Sequence, residues 1–225
     1  MKNRILNAYD WFLIVGIIAA NIIYSVLAEE IDVVGSIAAV AGVLCVVLVA
    51  KGSIWNYLFG LVNVSLYAYI SFKASAYGDA VLNAFYYLPM QFIGYFAWKK
   101  RVDETTVRAR RLTRNQRIWV AAGCAALTVA AGFILQACGD AQPFKDSATT
   151  VLSIVAQILM AMAFMEQWVL WILTNIISVV MWIMFVVKGD PHSEVMVIMW
   201  VFYLLNSLNG LRVWLKLSKG EEAAH

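Results

Sequence analysis

Eight apolar blocks follow one another along this chain, at about 11–28, 31–50, 54–72, 79–98, 117–138, 147–165, 168–187 and 194–217. A helix needs ~20 mostly apolar residues to cross the hydrocarbon core of a bilayer. Each block is near that length, and none shows the two-residue alternation of barrel strands. Eight such helices leave only termini and short connections in 225 residues. The chain therefore reads as an all-α integral membrane protein with eight transmembrane helices. Its composition is 63% apolar and 14% charged, whereas soluble domains run near half apolar and a quarter charged. A cytosolic enzyme on a membrane anchor, a receptor with a sizeable ectodomain and a pump carrying its own nucleotide motor are all excluded.

Orientation follows from the distribution of Lys and Arg. Lys2, Arg4, Lys51, Lys99, Lys100, Arg101, Arg108, Arg110, Arg111, Arg114, Arg117, Arg212, Lys216 and Lys219 fall on one side, and only Lys73, Lys145 and Lys188 on the other. Both termini are expected in the cytoplasm, with Glu29, Glu30, Asp32, Asp140 and Asp146 facing outward. The basic stretch from Lys99 to Arg117 reads as a topology anchor touching anionic lipid rather than a nucleic-acid site.

Helix 1 opens like a secretory signal, with Lys2 and Arg4 before an apolar run and Val26-Leu27-Ala28 after it. The run is long for a signal, so it is kept as a real helix. Cys45, Cys124 and Cys138 lack paired spacing, and His192 and His225 stand alone. No metal site, disulfide framework or cofactor is expected.

The chain also repeats. Asn56, Gly60, Asn63 and Tyr67 step by four, three and four, and Trp171, Asn175, Ser178 and Trp182 repeat those steps 115 positions later. Lys73 and Lys188, and Asp79 and Glu194, share that spacing, while Tyr87, Gly94 and Trp98 match Tyr203, Gly210 and Trp214 after one inserted residue. Three helices plus one linker restore the direction of travel, so the halves run parallel. The expected domains are an N-terminal helix (1–30), a first three-helix repeat (31–98), a basic connection with a linker helix (99–138), a second repeat (139–217) and a tail (218–225).

Polar side chains gather at mid-membrane depth on both halves: Asn63, Tyr67, Asn83, Tyr87 and Gln91 from one, and Asn175, Trp182, Tyr203 and Asn206 from the other. A buried amide without a partner costs several kcal/mol, so these groups pair or face a wet cavity. Interhelical glue is the plain alternative for any one of them; the set, at one depth on repeated faces, reads as a solute site. Trp11, Trp55, Trp98, Trp119, Trp168 and Trp214 lie near span ends, where aromatic belts belong. No Asp, Glu, Lys, Arg or His lies in the middle third of any span, and Glu166 comes closest. That argues for an uncoupled carrier of a neutral or singly positive solute and against an intramembrane enzyme. Pro89 removes a backbone donor and frees the carbonyl of Phe85, a candidate hinge.

Trp55-x4-Gly60-x6-Tyr67, Asn83-x2-Tyr86-Tyr87-x3-Gln91-x2-Gly94-x3-Trp98, Trp168-x2-Trp171-x3-Asn175-x6-Trp182 and Tyr203-x2-Asn206 together resemble the PnuC-type vitamin-precursor transporters. The likeness covers about residues 31–217. Pro89-Met90-Gln91 is similar to the proline–glutamine element of the wider group, interrupted by residue 90. The resemblance implies a SWEET-like fold of three helices, linker and three helices in a bacterial inner membrane. It further implies facilitated import of nicotinamide riboside by alternating access, in a possible homo-oligomer such as a trimer, with a separate cytosolic riboside kinase keeping the gradient. Rings of Trp182 and Tyr87 or Tyr203 would hold the pyridinium, Asn206 and Gln91 the carboxamide, and Asn63, Asn175 and Asn83 the ribose, with Trp55, Pro89 and Trp171 as gate or hinge. The same carrier with thiamine, riboflavin or a deoxynucleoside as cargo stays open, as does a non-transporting scaffold.

Overall fold

The computed structural model describes residues 6–27, 33–73, 77–103, 106–139, 142–189 and 193–220. Lys2, Arg4, Glu29, Glu30, Asp32, Asp140, His192 and His225 lie outside them. Helices dominate: α1 (Ala8–Leu27), α2 (Val33–Ala50), α3 (Asn56–Lys73), α4 (Tyr77–Leu82), α5 (Leu88–Lys99), α6 (Arg114–Ala137), α7 (Pro143–Ala161), α8 (Gln167–Lys188) and α9 (Ser193–Leu217). One short hairpin, β1 (Val102–Asp103) and β2 (Thr106–Val107), lies between α5 and α6.

Five of these helices, α1, α2, α6, α8 and α9, are long and apolar enough to cross a membrane. The outer surface is apolar, with Phe85 and Trp119 each 77% exposed and Val187 83%. Water would not tolerate so much exposed apolar surface. Lipid does.

Local chemistry sets the helix ends. Thr113 caps α6 in a reciprocal pair of bonds with Gln116, so the helix starts at Arg114, ahead of its apolar run. Pro143 opens α7 at a position where a missing N–H is harmless. Between α4 and α5 the chain makes one turn of π-helix, Asn83–Tyr87, closed by the Leu88 N–H bonding to the Asn83 carbonyl. Pro89 follows at once, with no N–H to give. The wider turn relieves the crowding its ring would impose on the carbonyl four residues back.

At the basic end of the bundle two tight turns correspond. Gly52 (φ 67°) and Ala163 (φ 60°) take the left-handed conformation 111 positions apart. Ser53 N–H bonds to Leu48 O and Phe164 N–H to Leu159 O, again 111 apart. α3 and α8 begin 111 residues apart, at Asn56 and Gln167, yet end 115 apart, at Lys73 and Lys188. α8 is thus one helical turn longer, 22 residues against 18. The 115-residue spacing expected for the whole of this helix describes its far end, and the turns set 111. A shift of four residues nearly preserves a helical face, which is why the step pattern matched in the wrong register.

The principal core lies between these turns. Tyr57, Trp98, Trp168 and Trp214 are 0–3% exposed and pack with Val49, Met160, Val107 and Met165. Trp98, Trp168 and Trp214 are therefore no belt residues. Their neighbouring helices approach closely enough to enclose the rings, whereas Trp11, Trp55 and Trp119 stay exposed. α1 packs on α2 and α9 through Leu13, Ile14 and Ile17 against Val43, Val47 and Phe202. Its Asp10 forms a buried 2.8 Å ion pair with Lys51 of the first turn.

Candidate functional site

Two indoles cross between the halves. Trp98 of α5 donates to the Met160 carbonyl of α7 at 2.8 Å, and Trp214 of α9 donates to the Val49 carbonyl of α2 at 2.9 Å. Trp98 and Trp214 are 116 residues apart and Val49 and Met160 are 111 apart, so each half repeats what the other does. The rings meet at 5.5 Å between centroids, flanked by Tyr57 on Trp98 at 5.1 Å and Trp168 on Trp214 at 6.2 Å. Gly94 and Gly210 make room, since a Cβ there would fall 2.4 Å from the Tyr57 ring and 2.5 Å from the Trp168 ring. The repeated Gly-x3-Trp was the sequence signal for this aromatic floor.

Beyond the floor stand the amides expected to form a site. Asn63 bonds to the Ala38 carbonyl at 2.8 Å, joining α3 to α2. Asn206 bonds to the Val46 carbonyl at 3.1 Å, joining α9 to α2, and Asn175 bonds to Ser207 Oγ at 2.8 Å, joining α8 to α9. Asn83 and Gln91 bond back to the carbonyls of Asp79 and Tyr87. All five donate an amide N–H to an acceptor of the protein. Gln91 Oε1 and Asn206 Oδ1 are buried with no protein partner. Gln91 and Asn206 were expected to offer donor and acceptor alike; one donor of each is committed internally, and the acceptor is what each leaves open.

The phenols gather loosely. Tyr203 lies within electrostatic reach of Tyr67 and Cys45, and Tyr87 packs edge-on against Tyr86 at 5.0 Å. Tyr86 in turn donates to the Ile154 carbonyl of α7, tying the π turn to the other half. Asp79, in the first turn of α4, reaches both Tyr67 and Tyr87 electrostatically. Its position one turn before Asn83 was the signal that could have marked it.

Other expected residues lie apart. Trp182 packs at 5.3 Å, tilted by 54°, against Phe185 of its own helix. Trp55 is 57% exposed beside a lateral groove of about 490 Å³, shared with Tyr57, Gln91, Tyr95 and Phe96. Trp171 packs against the core, and Pro89 follows the π turn. Glu166 is engaged by Arg117 at 2.9 Å and by the Leu112 N–H.

An all-helical body with apolar spans, an apolar exterior and buried amides on facing helices defines a multi-pass membrane protein. Comparison supplies its class. The family described as nicotinamide mononucleotide transporter matches residues 32–216. The nicotinamide riboside transporter PnuC of Neisseria mucosa is 43% identical, over 82% of this chain and 72% of that protein. The protein of the same name from Escherichia coli is 33% identical, over 84% and 86%. A crystal structure of the vitamin B3 transporter PnuC is 37% identical and superposes with a TM-score of 0.78, covering 96% of this chain and 94% of that one. The chain belongs to the nicotinamide mononucleotide transporter family. It is a transporter of a small molecule, not an enzyme.

Proposed function

We propose that this transporter imports nicotinamide riboside down its concentration gradient by alternating access, in a bacterial inner membrane. The cargo follows the names of the relatives, and the carrying observation is that Gln91 Oε1 and Asn206 Oδ1 are buried with no protein partner. Amide oxygens that the protein leaves without a donor suit a solute rich in donors, and nicotinamide riboside brings a carboxamide NH2 and ribose hydroxyls. Its pyridinium charge suits the faces of Tyr67, Tyr87, Trp182 and Tyr203, and Asp79 draws the cation toward them. Asn63, Asn83, Gln91, Asn175 and Asn206 hold the polar groups, and Trp55, Pro89 and Trp171 serve movement between states.

In this reading the chain crosses eight times with both termini and the basic end in the cytoplasm, as the charge distribution requires. The reciprocal Trp98 and Trp214 bonds support two parallel repeats at 31–98 and 139–217 around the site. The halves rock about it, and a cytosolic kinase that phosphorylates the riboside keeps the gradient inward. A trimeric assembly is part of the same proposal.

Uptake into liposomes tests it. Nicotinamide riboside should enter until inside and outside concentrations match, regardless of ion gradients. Accumulation that collapses with a proton or sodium gradient would overturn uniport. Calorimetry showing heat with thiamine, riboflavin or a deoxynucleoside, and none with nicotinamide riboside, would overturn the cargo.

A further inference from the structure

The chain from Thr106 to Leu112 lies across the basic end of the bundle and bonds to both left-handed turns on the way. Val107 N–H donates to Gly52 O at 2.8 Å, and Thr106 pairs antiparallel with Ser53. Three residues on, Arg110 N–H donates to Ala163 O at 2.7 Å, and the Arg110 carbonyl accepts from Met165 N–H at 2.9 Å. Side chains reinforce the second attachment. The Arg110 guanidinium lies 4.3 Å from the Phe164 ring centroid. The Glu166 carboxylate accepts from Leu112 N–H and from Arg117. Val107, 1% exposed, closes the space between Gly52 and the aromatic floor.

The two turns belong to opposite halves. An extended chain spans at most ~3.3–3.6 Å per residue, so three steps from Val107 to Arg110 hold the attachment points within about 10 Å. Rocking the halves apart at this end, wide enough to pass a ring and a sugar, separates those turns. We propose that this strap is the latch of the inner gate, and that it must release one turn before the pathway opens to the cytoplasm. It releases Gly52–Ser53. The second turn holds it by two backbone bonds, a carboxylate and a cation–ring contact, and the first by one backbone bond, one bridged pair and the Val107 side chain. Opening therefore withdraws Val107 from the floor while Arg110 stays on Phe164. This latch rests on the alternating-access reading above.

Two cross-links test it, each in protein with Cys124→Ser and Cys138→Ser. Antiparallel partners lie ~4.5–5.5 Å apart at Cα, within disulfide range. Oxidised Ser53→Cys/Thr106→Cys protein should lose at least about tenfold of its nicotinamide riboside uptake and regain it with dithiothreitol. Oxidised Arg110→Cys/Phe164→Cys protein should transport as when reduced. A solute-independent readout accompanies uptake: alkylation of half-buried Cys45, followed by mass spectrometry, should slow several-fold only in the first cross-link. Equal uptake and equal Cys45 alkylation in both redox states of the first pair, or the converse pattern between pairs, overturns the latch. Failure of the unsubstituted protein to carry nicotinamide riboside counts against the cargo instead, because Cys45 alkylation still decides the latch.

Discussion

Trp98 and Trp214 touch at 5.5 Å between ring centroids while each donates its indole N–H to a backbone carbonyl of the opposite half. Both rings are fully buried. The pair ties α5 to α7 and α9 to α2 at the basic end, so its hydrogen bonds contribute to stability. Trp98→Phe and Trp214→Phe keep a ring and remove one of the two donors to each carbonyl, which still accepts from Ala163 N–H or Gly52 N–H, at about 0.5–1.5 kcal/mol. Each is expected to lower the unfolding temperature in detergent by a few degrees and by similar amounts. An unchanged transition in either would show that the exchange is not energetically equivalent.

Gly94 and Gly210 are expected to reject even a methyl group. The Ala Cβ would stand 2.4–2.6 Å from the Tyr57 or Trp168 ring, and both rings are walled in. Overpacking of this kind costs about 1–3 kcal/mol. Gly16→Ala faces the more accessible Phe202 ring and should cost less. Thermal unfolding of the three variants gives the order directly.

Asp10 is fully buried against Lys51. Asp10→Ala leaves an unpaired buried ammonium, at about 3–5 kcal/mol. The Asp10→Leu/Lys51→Met double variant removes both charges and should recover most of that loss. Denaturation of single and double variants measures the difference.

Trp182 touches one ring of its own helix and lies half-buried. If it faces the cargo, Trp182→Ala should lose ~2 kcal/mol of cation attraction, a more than tenfold rise in Kd. Trp182→Phe should retain most of the affinity. Calorimetry paired with thermal unfolding separates this from a scaffold, in which stability alone would change.

Asp79 stands exposed near Tyr67 and Tyr87. Asp79→Asn should slow uptake of a cationic riboside several-fold at low ionic strength and much less at high salt, since screening removes steering. An uncharged analogue should enter at the parental rate. Initial uptake rates at two salt concentrations decide it.

The sequence alone made helices and a membrane legible, because length and apolarity along the chain are local properties that the bilayer reads directly. It also carried Gly94-x3-Trp98 and Gly210-x3-Trp214, which the fold brings into one aromatic cluster. The register of α3 against α8 was not legible, since a four-residue shift preserves a helical face, and only the two turns fixed it. Whether a tryptophan near a span end meets lipid or core depends on helices distant in sequence, so Trp98, Trp168 and Trp214 needed the tertiary structure. The same holds for the amides. Residue type says that an Asn can donate and accept, while packing decides which half of it the protein has already taken. The basic stretch shows the division most clearly: its charges place it at one end of the bundle, but only the fold brings Val107 and Arg110 against two turns 111 residues apart.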